Sequence, residues 1–438
     1  MKKTMLIACL VLHSWCAVFA QELNRSLDSL VTASYEAAEF TGTVLVSKGG
    51  KILIKKTYGE NDDHTIFNIA SITKSFTAAL IMKLQEAGKL SVQDKLSKYY
   101  PDFSQANKIT IHHLLTHTSG VFNYTDDPAF WKMDQTKEQT LSQMIAWFKD
   151  KPLNFEPGSR FQYSNSGYTL LGYIIEQVTG TTYGKALEQY IFKPLGMHYS
   201  SYGPPADTSH LAIGYMMYYR NFKKTAPAVH PSISYATGAI YSTTEDLYKW
   251  HTALQKGKFL SKRSMAAIFT KDKGPYGYGW FIDSMYGKLR IVHDGKIPGY
   301  KNILIRFPQD DVCIIALSNA NSSSGDMIGN IMSMLYHQPL ASSFTDLPVI
   351  NMPDSMKKEF TGIYKFRKED STQVQVHLQD SNLYIQIPGN KEQPLQLVKR
   401  NMFRAGNARI EFMRNDKGAI WQMLVYSRGE IMGVVKVQ

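Results

Sequence analysis

The 438-residue sequence predicts an α+β fold: an antiparallel β-sheet flanked by helices and carrying a mostly helical subdomain, followed by a small all-β module. Three observations predict it. Two alternating runs around Gly49-Gly50 are answered, far along the chain, by further strand-like runs ending in DVCIIALSN. Between them, from about residue 90 to 230, helical patterns and loops rich in Gly, Pro and Tyr prevail. After about residue 340 the texture becomes short period-two strands with turn residues between them.

The elements follow in order. MKKTMLIACLVLHSWCAVFA has a positive start, an apolar run and small residues before position 21. This is the pattern of a secretory signal peptide, residues 1–20, cut after Ala20. The run is short for a membrane span and His13 interrupts it. The mature chain is therefore expected to carry no transmembrane segment and to be secreted or periplasmic. Cys9 and Cys16 leave with the signal, so the remaining Cys313 has no internal disulfide partner and is expected to be a buried strand residue.

TGTVLVSKGGKILIKKTYG, from Thr41, predicts a β-hairpin. FNIASITKSFTAALIMKLQEAGKL, from Phe67, predicts a helix that is apolar on nearly every side and so buried all round. A helix is expected from about Thr244, with Glu245 and Asp246 in its first turn. YGYGWFID, KLRIVHDG, YKNILIRFP and DVCIIALSN return to strand and complete the sheet. The expected domains are 21–340 and 341–438, the second an all-β module whose hairpin turns fall at Asp-Ser-Asn and Asn-Asp-Lys-Gly. The formal charge is +12, but the basic residues are scattered. That favours a solvated basic surface and no nucleic-acid partner.

Three places carry chemistry. Ser71 and Lys74 stand at i and i+3, on one helix face. A serine hydroxyl needs a neighbouring base to become a nucleophile. A lysine desolvated at a helix N-terminus is pushed toward the neutral, basic form. Tyr163-Ser164-Asn165 precedes the next long helix: the tyrosine can share proton transfer with Lys74, and the asparagine can bind an amide or carbonyl. A polar turn with a half-buried tyrosine is the bland alternative. His293-Asp294-Gly295 ends the run KLRIV, and its glycine permits close approach to the strand backbone.

The order S-x-x-K, Y-x-N, H-x-G resembles the serine β-lactamase and penicillin-binding protein superfamily, in its class C β-lactamase and esterase-like branch. The resemblance covers roughly residues 30 to 335. It extends to Leu90-Ser91-Val92-Gln93-Asp94, to Tyr100-Pro101-Asp102-Phe103, to the phrase Leu114-Leu115-Thr116-His117-Thr118-Ser119-Gly120, and to Pro298-Gly299-Tyr300. The tail resembles the lipocalin-like modules found behind such domains.

The resemblance implies a serine β-lactamase-like fold and a covalent acyl-enzyme on Ser71, with Lys74 and Tyr163 handling the proton. The division of the base role between those two stays open. It implies substrate contacts by Asn165, His293 and Gly295, and an oxyanion hole from the backbone N–H groups of Ser71 and Lys296. It implies no metal and no organic cofactor. The partner would be a small-molecule or peptide substrate, one derived from the cell wall included.

The third motif departs from Lys-Thr-Gly. His293 is a weaker carboxylate partner than lysine, and an ionised Asp294 repels a carboxylate. An esterase or D-amino-acid peptidase is therefore favoured. A class C-like β-lactamase, a D,D-carboxypeptidase and a penicillin-binding sensor without turnover are the alternatives. A metal hydrolase built on His112, His113 and His117 is the other rival, but no carboxylate lies at the spacing such a site uses.

Overall fold

The computed structural model describes residues 21–36, 40–219, 222–320, 325–340, 347–365, 373–389, 391–406, 408–415, 417–427 and 430–437. The expected signal peptide lies outside them. Residues 21–36 are helical, and no helix among the described residues is long and apolar enough to cross a membrane.

The predicted hairpin forms from β1 (Gly42–Lys48) and β2 (Lys51–Tyr58). Gly49 and Gly50 both take positive φ, 57° and 75°, which the tight turn needs and which glycine adopts freely. The returning strands are β3 (Phe281–Met285), β4 (Lys288–Ile297), β5 (Tyr300–Phe307) and β6 (Val312–Ser318). The six pair antiparallel in the order β2-β1-β6-β5-β4-β3. Every residue of β6 is buried, Cys313 included. Such a strand has both faces covered, which explains its unbroken apolar run.

β3 reaches only part of β4: its register ends with Phe281 opposite Val292. Residues 293–297 of β4 have no β3 partner on that side, and this is the stretch that carries the third motif.

Helix α1 (Thr73–Glu86) is buried on all faces except near its end, as its sequence requires. It packs against α2 (Asn165–Thr179) and α3 (Pro231–Gly238). Phe76 of α1 stacks on Trp250 of α4 (Thr244–Gln255), ring centroids 4.5 Å apart. α4 starts where expected, capped by Thr243 accepting from the Asp246 N–H.

The region from 90 to 230 holds α2 and shorter helices such as Ile111–Leu115 and Leu141–Ala146. Capping boxes at Thr110 and Thr140 start these helices, and loops and 3₁₀ turns fill the space between.

By compactness the chain divides into two units. One comprises Thr41–Met217 and Lys224–Asn321. The other holds the described parts of Met1–Phe40, Tyr218–Lys223 and Ser322–Gln438. The second contains a nine-stranded antiparallel sheet running from Gly362–Lys365 to Glu430–Lys436. Its core includes Phe360, Tyr364, Phe403, Phe412 and Met423. The Asp-Ser-Asn turn is a hairpin with positive φ at Asp380 and Ser381, and Asn415 to Gly418 closes the other expected turn. The strands between Gln393 and Ala405 carry too weak an alternation to be read beforehand.

Candidate active site

Ser71 lies in a 3₁₀ turn, Ala70–Ile72, that leads into α1. Ala70 has φ 49°, a strained value for a residue with a Cβ. The turn is held from both sides. The Asn68 side-chain oxygen accepts from the Ala70 N–H at 2.8 Å, and the Asn302 amide donates to the Asn68 carbonyl at 2.9 Å. β4 lies directly on it. A Cβ at Gly295 would stand 2.2 Å from the Ile69 carbonyl oxygen, so only glycine fits.

Lys74 is wholly buried. Its Nζ is 3.0 Å from Ser71 Oγ and donates to the Thr237 carbonyl at 2.8 Å. Burial holds its pKa well below the ordinary lysine value, with the Asp294 carboxylate pulling the other way. A neutral amine keeps one N–H on Thr237 and offers its lone pair to the Ser71 O–H. The acceptor for that N–H comes from a kink in α3. Tyr235 takes φ 37° there, and the broken helical ladder leaves the Ala236 and Thr237 carbonyls to Thr77 and Lys74.

Tyr163 sits on the other side of the pair. Lys74 Nζ is 5.1 Å from its ring centroid, and its hydroxyl interacts with Ser71. Burial pushes the phenol pKa up, so it stays protonated. Asn165 opens α2. Its backbone N–H donates to Asn123 Oδ1 at 3.0 Å and its side-chain amide to Thr125 Oγ1 at 3.2 Å.

The third motif divides by strand alternation. His293 and Gly295 are buried, while Asp294 and Lys296 are exposed. His293 therefore faces inward. Its Nε2 accepts from the Tyr276 hydroxyl at 2.8 Å, and its Nδ1 donates to the Asp294 carbonyl at 2.6 Å. Burial brings its pKa down to about 3, so it is neutral.

Ser71, Asn165 and Lys296 line one cleft of about 200 Å³ together with Tyr124, Trp131 and Ile233. A larger cleft of about 960 Å³ lies toward the far end of α1, walled by Lys83, Lys249, Lys256 and Lys258, and holds none of these groups.

His117 was visible in the sequence only as part of a phrase and as a metal candidate. It is buried with φ 57°, its ring 4.3 Å from that of Tyr163, and its Nδ1 accepts from the Ser164 N–H at 3.2 Å. His113 caps its own helix and His112 bonds Tyr278 at 2.8 Å, so the three histidines serve different partners. Among the described residues no group of three or more metal-ligating side chains converges. Thr237 could not have been found from sequence, because it acts through its backbone carbonyl.

A serine, a buried lysine and a half-buried tyrosine gathered within reach of one another, beside a sheet flanked by helices, make the constellation of a serine hydrolase. The chain belongs to the Beta-lactamase family, whose family model matches residues 27–337. It is similar to penicillin-binding protein 4* of Bacillus subtilis, 29% identical over 91% of this chain and 96% of that one. Among solved structures it resembles a penicillin-binding protein from Bacillus halodurans, 31% identical with a TM-score of 0.63, over 70% of this chain and 98% of that one. It also resembles a D-stereospecific amidohydrolase from a Streptomyces species, 28% identical with a TM-score of 0.62, over 68% and 97%.

Proposed function

We propose that this protein is a secreted or periplasmic hydrolase that cleaves ester or amide bonds through a Ser71 acyl-enzyme, with neutral acyl esters and amino-acyl amides preferred over β-lactams. Neutral Lys74 takes the Ser71 proton as Oγ attacks the carbonyl. The backbone N–H groups of Ser71 and Lys296 hold the oxyanion. Tyr163, kept protonated, passes its proton to the leaving group and is reprotonated from Lys74. Water then attacks the ester, releasing the acid and restoring Ser71. Asn165 orients the substrate. His293 supports the site from behind, through Tyr276, without touching substrate.

One observation carries the substrate preference: Asp294 is exposed on the stretch of β4 beside Ser71, and its charge reaches both Lys74 and Tyr163. Asp294 is exposed, so solvent screens its charge and the effect is on the order of 1 kcal/mol. A substrate carboxylate near Asp294 is disfavoured and a free amine is favoured. The similarity to a D-stereospecific amidohydrolase supports the same reading.

The test compares kcat/KM for an amino-acyl amide and a short-chain ester with that for benzylpenicillin. An advantage of at least about tenfold, roughly 1.4 kcal/mol, is expected. Changing Asp294 to Thr should narrow it. A wild-type preference for penicillin would sink the reading.

One feature favours a second reading. Lys296 places an ammonium on the same cleft, and that suits a substrate with a terminal carboxylate, as in a D,D-carboxypeptidase or a slowly turning-over penicillin-binding protein. D-Ala-D-Ala peptides in the same panel separate the two.

Export is tested by mass spectrometry of the protein recovered outside the cytoplasm. The reading requires a chain that starts at Gln21, and a mass that includes residues 1–20 would contradict it.

A further inference from the structure

We infer that Trp131 is a fixed aromatic platform that selects substrates with a flat, apolar group on the acyl side of the scissile bond, an inference that rests on the Ser71 hydrolase reading. Trp131 is 56% exposed, unusual for so large an apolar side chain, and it lines the Ser71 cleft.

Its position is nevertheless determined. The indole N–H donates to the Thr125 carbonyl at 2.8 Å. The ring meets Phe130 edge-to-face, centroids 5.4 Å apart at 82°. Phe130 is itself buried against Tyr124 and Trp147. An exposed surface tryptophan in free rotation has no such anchor.

The same residue that holds the indole also holds Asn165. The Thr125 hydroxyl accepts from the side-chain amides of Asn123, at 2.7 Å, and Asn165, at 3.2 Å. Thr125 thus sets the distance between the platform and the side chain that orients substrate. The indole N–H is already used, so the open part of Trp131 offers only apolar and π surface. Val229 and Ile233 line the same cleft and add apolar wall. The cleft's volume of about 200 Å³ suits one side-chain-sized group. A benzyl or similar group gains by burial and by ring stacking there, while a methyl group gains little.

The probes are the p-nitrophenyl esters of phenylacetate and acetate, which carry no amine and so do not depend on Asp294. The full mature chain is used, and its Ser71 is titrated with a fluorophosphonate. The wild type should favour the phenylacetyl ester in kcat/KM. Trp131→Ala should lower the phenylacetyl-to-acetyl ratio about tenfold or more, and Trp131→Phe should keep most of it. Ratios within one variant cancel losses of folded protein, and a thermal melt of each variant checks the fold.

A ratio unchanged in Trp131→Ala overturns the inference, and in that case the hydrolase reading survives. Absence of Ser71 labelling together with absence of turnover overturns the hydrolase reading and this inference with it.

Discussion

Lys74 Nζ stands 3.0 Å from Ser71 Oγ and has no exposed surface. An ammonium so placed loses its hydration and recovers a carbonyl, a hydroxyl, two tyrosine rings and the pull of Asp294, and the loss of hydration outweighs them. The neutral amine is the form the site favours, and that form can take a proton from serine.

Ser71→Ala should abolish fluorophosphonate labelling and lower turnover by several orders of magnitude, because the members of a nucleophile unit act together. Lys74→Ala should cost about a thousandfold or more in kcat/KM, on the order of 4 kcal/mol. Wild-type rates in either variant would contradict the assignment.

The pH dependence of kcat/KM should separate base from acid. Lys74 is shifted down and Tyr163 up, both chiefly by burial. As pH falls, Lys74 takes a proton and the rate falls with it. The acid limb should therefore lie well below the ordinary lysine range. Tyr163→Phe should lower the plateau and leave the position of that limb in place. A limb that moves with Tyr163→Phe would assign the base to the tyrosine.

Stability should fall on mild acidification. His251 and His293 are both brought down to about 3 in the folded chain by burial, against about 6.5 when unfolded. Between those values the unfolded chain binds more protons, so stability rises with pH across the window. Their contribution is fully present above about pH 6.5 and is lost as pH falls toward 3. Chemical denaturation at a series of pH values measures it. His251→Gln should flatten the curve. His251 Nδ1 accepts from the buried Arg306 and its Nε2 meets Asp311 at 3.0 Å, so this variant also reports on that contact.

Gly295→Ala should damage activity more than its single methyl suggests. The new Cβ would collide with the Ile69 carbonyl, two residues before Ser71. Overpacking of this kind costs about 1–3 kcal/mol of stability, and the displaced turn carries Ser71 with it. A melt and a labelling rate measured together should show a loss of rate beyond the loss of folded protein. Equal losses would mean the glycine serves packing alone.

Local pattern was enough for much of this molecule. The hairpin at Gly49-Gly50, the helix apolar on every side and the apolar run around Cys313 were each legible, because period and turn chemistry act over a few residues. Ser71 with Lys74 was legible for the same reason, since three residues of helix bring them to one face. The order of the three motifs pointed, by resemblance, to Tyr163, Asn165 and His293.

What the chain could not declare was orientation and environment. Strand alternation turns His293 inward and Asp294 outward, but which side is inward depends on the turn that lies against Gly295, more than 200 positions earlier in sequence. The Thr237 carbonyl, the Thr125 bridge between Asn165 and Trp131, and the packing of His117 on Tyr163 join segments far apart in the chain or use backbone atoms common to every residue. No residue type marks such contacts in advance. They exist only once packing has enclosed them, and the same enclosure sets the proton affinities of Lys74 and His293.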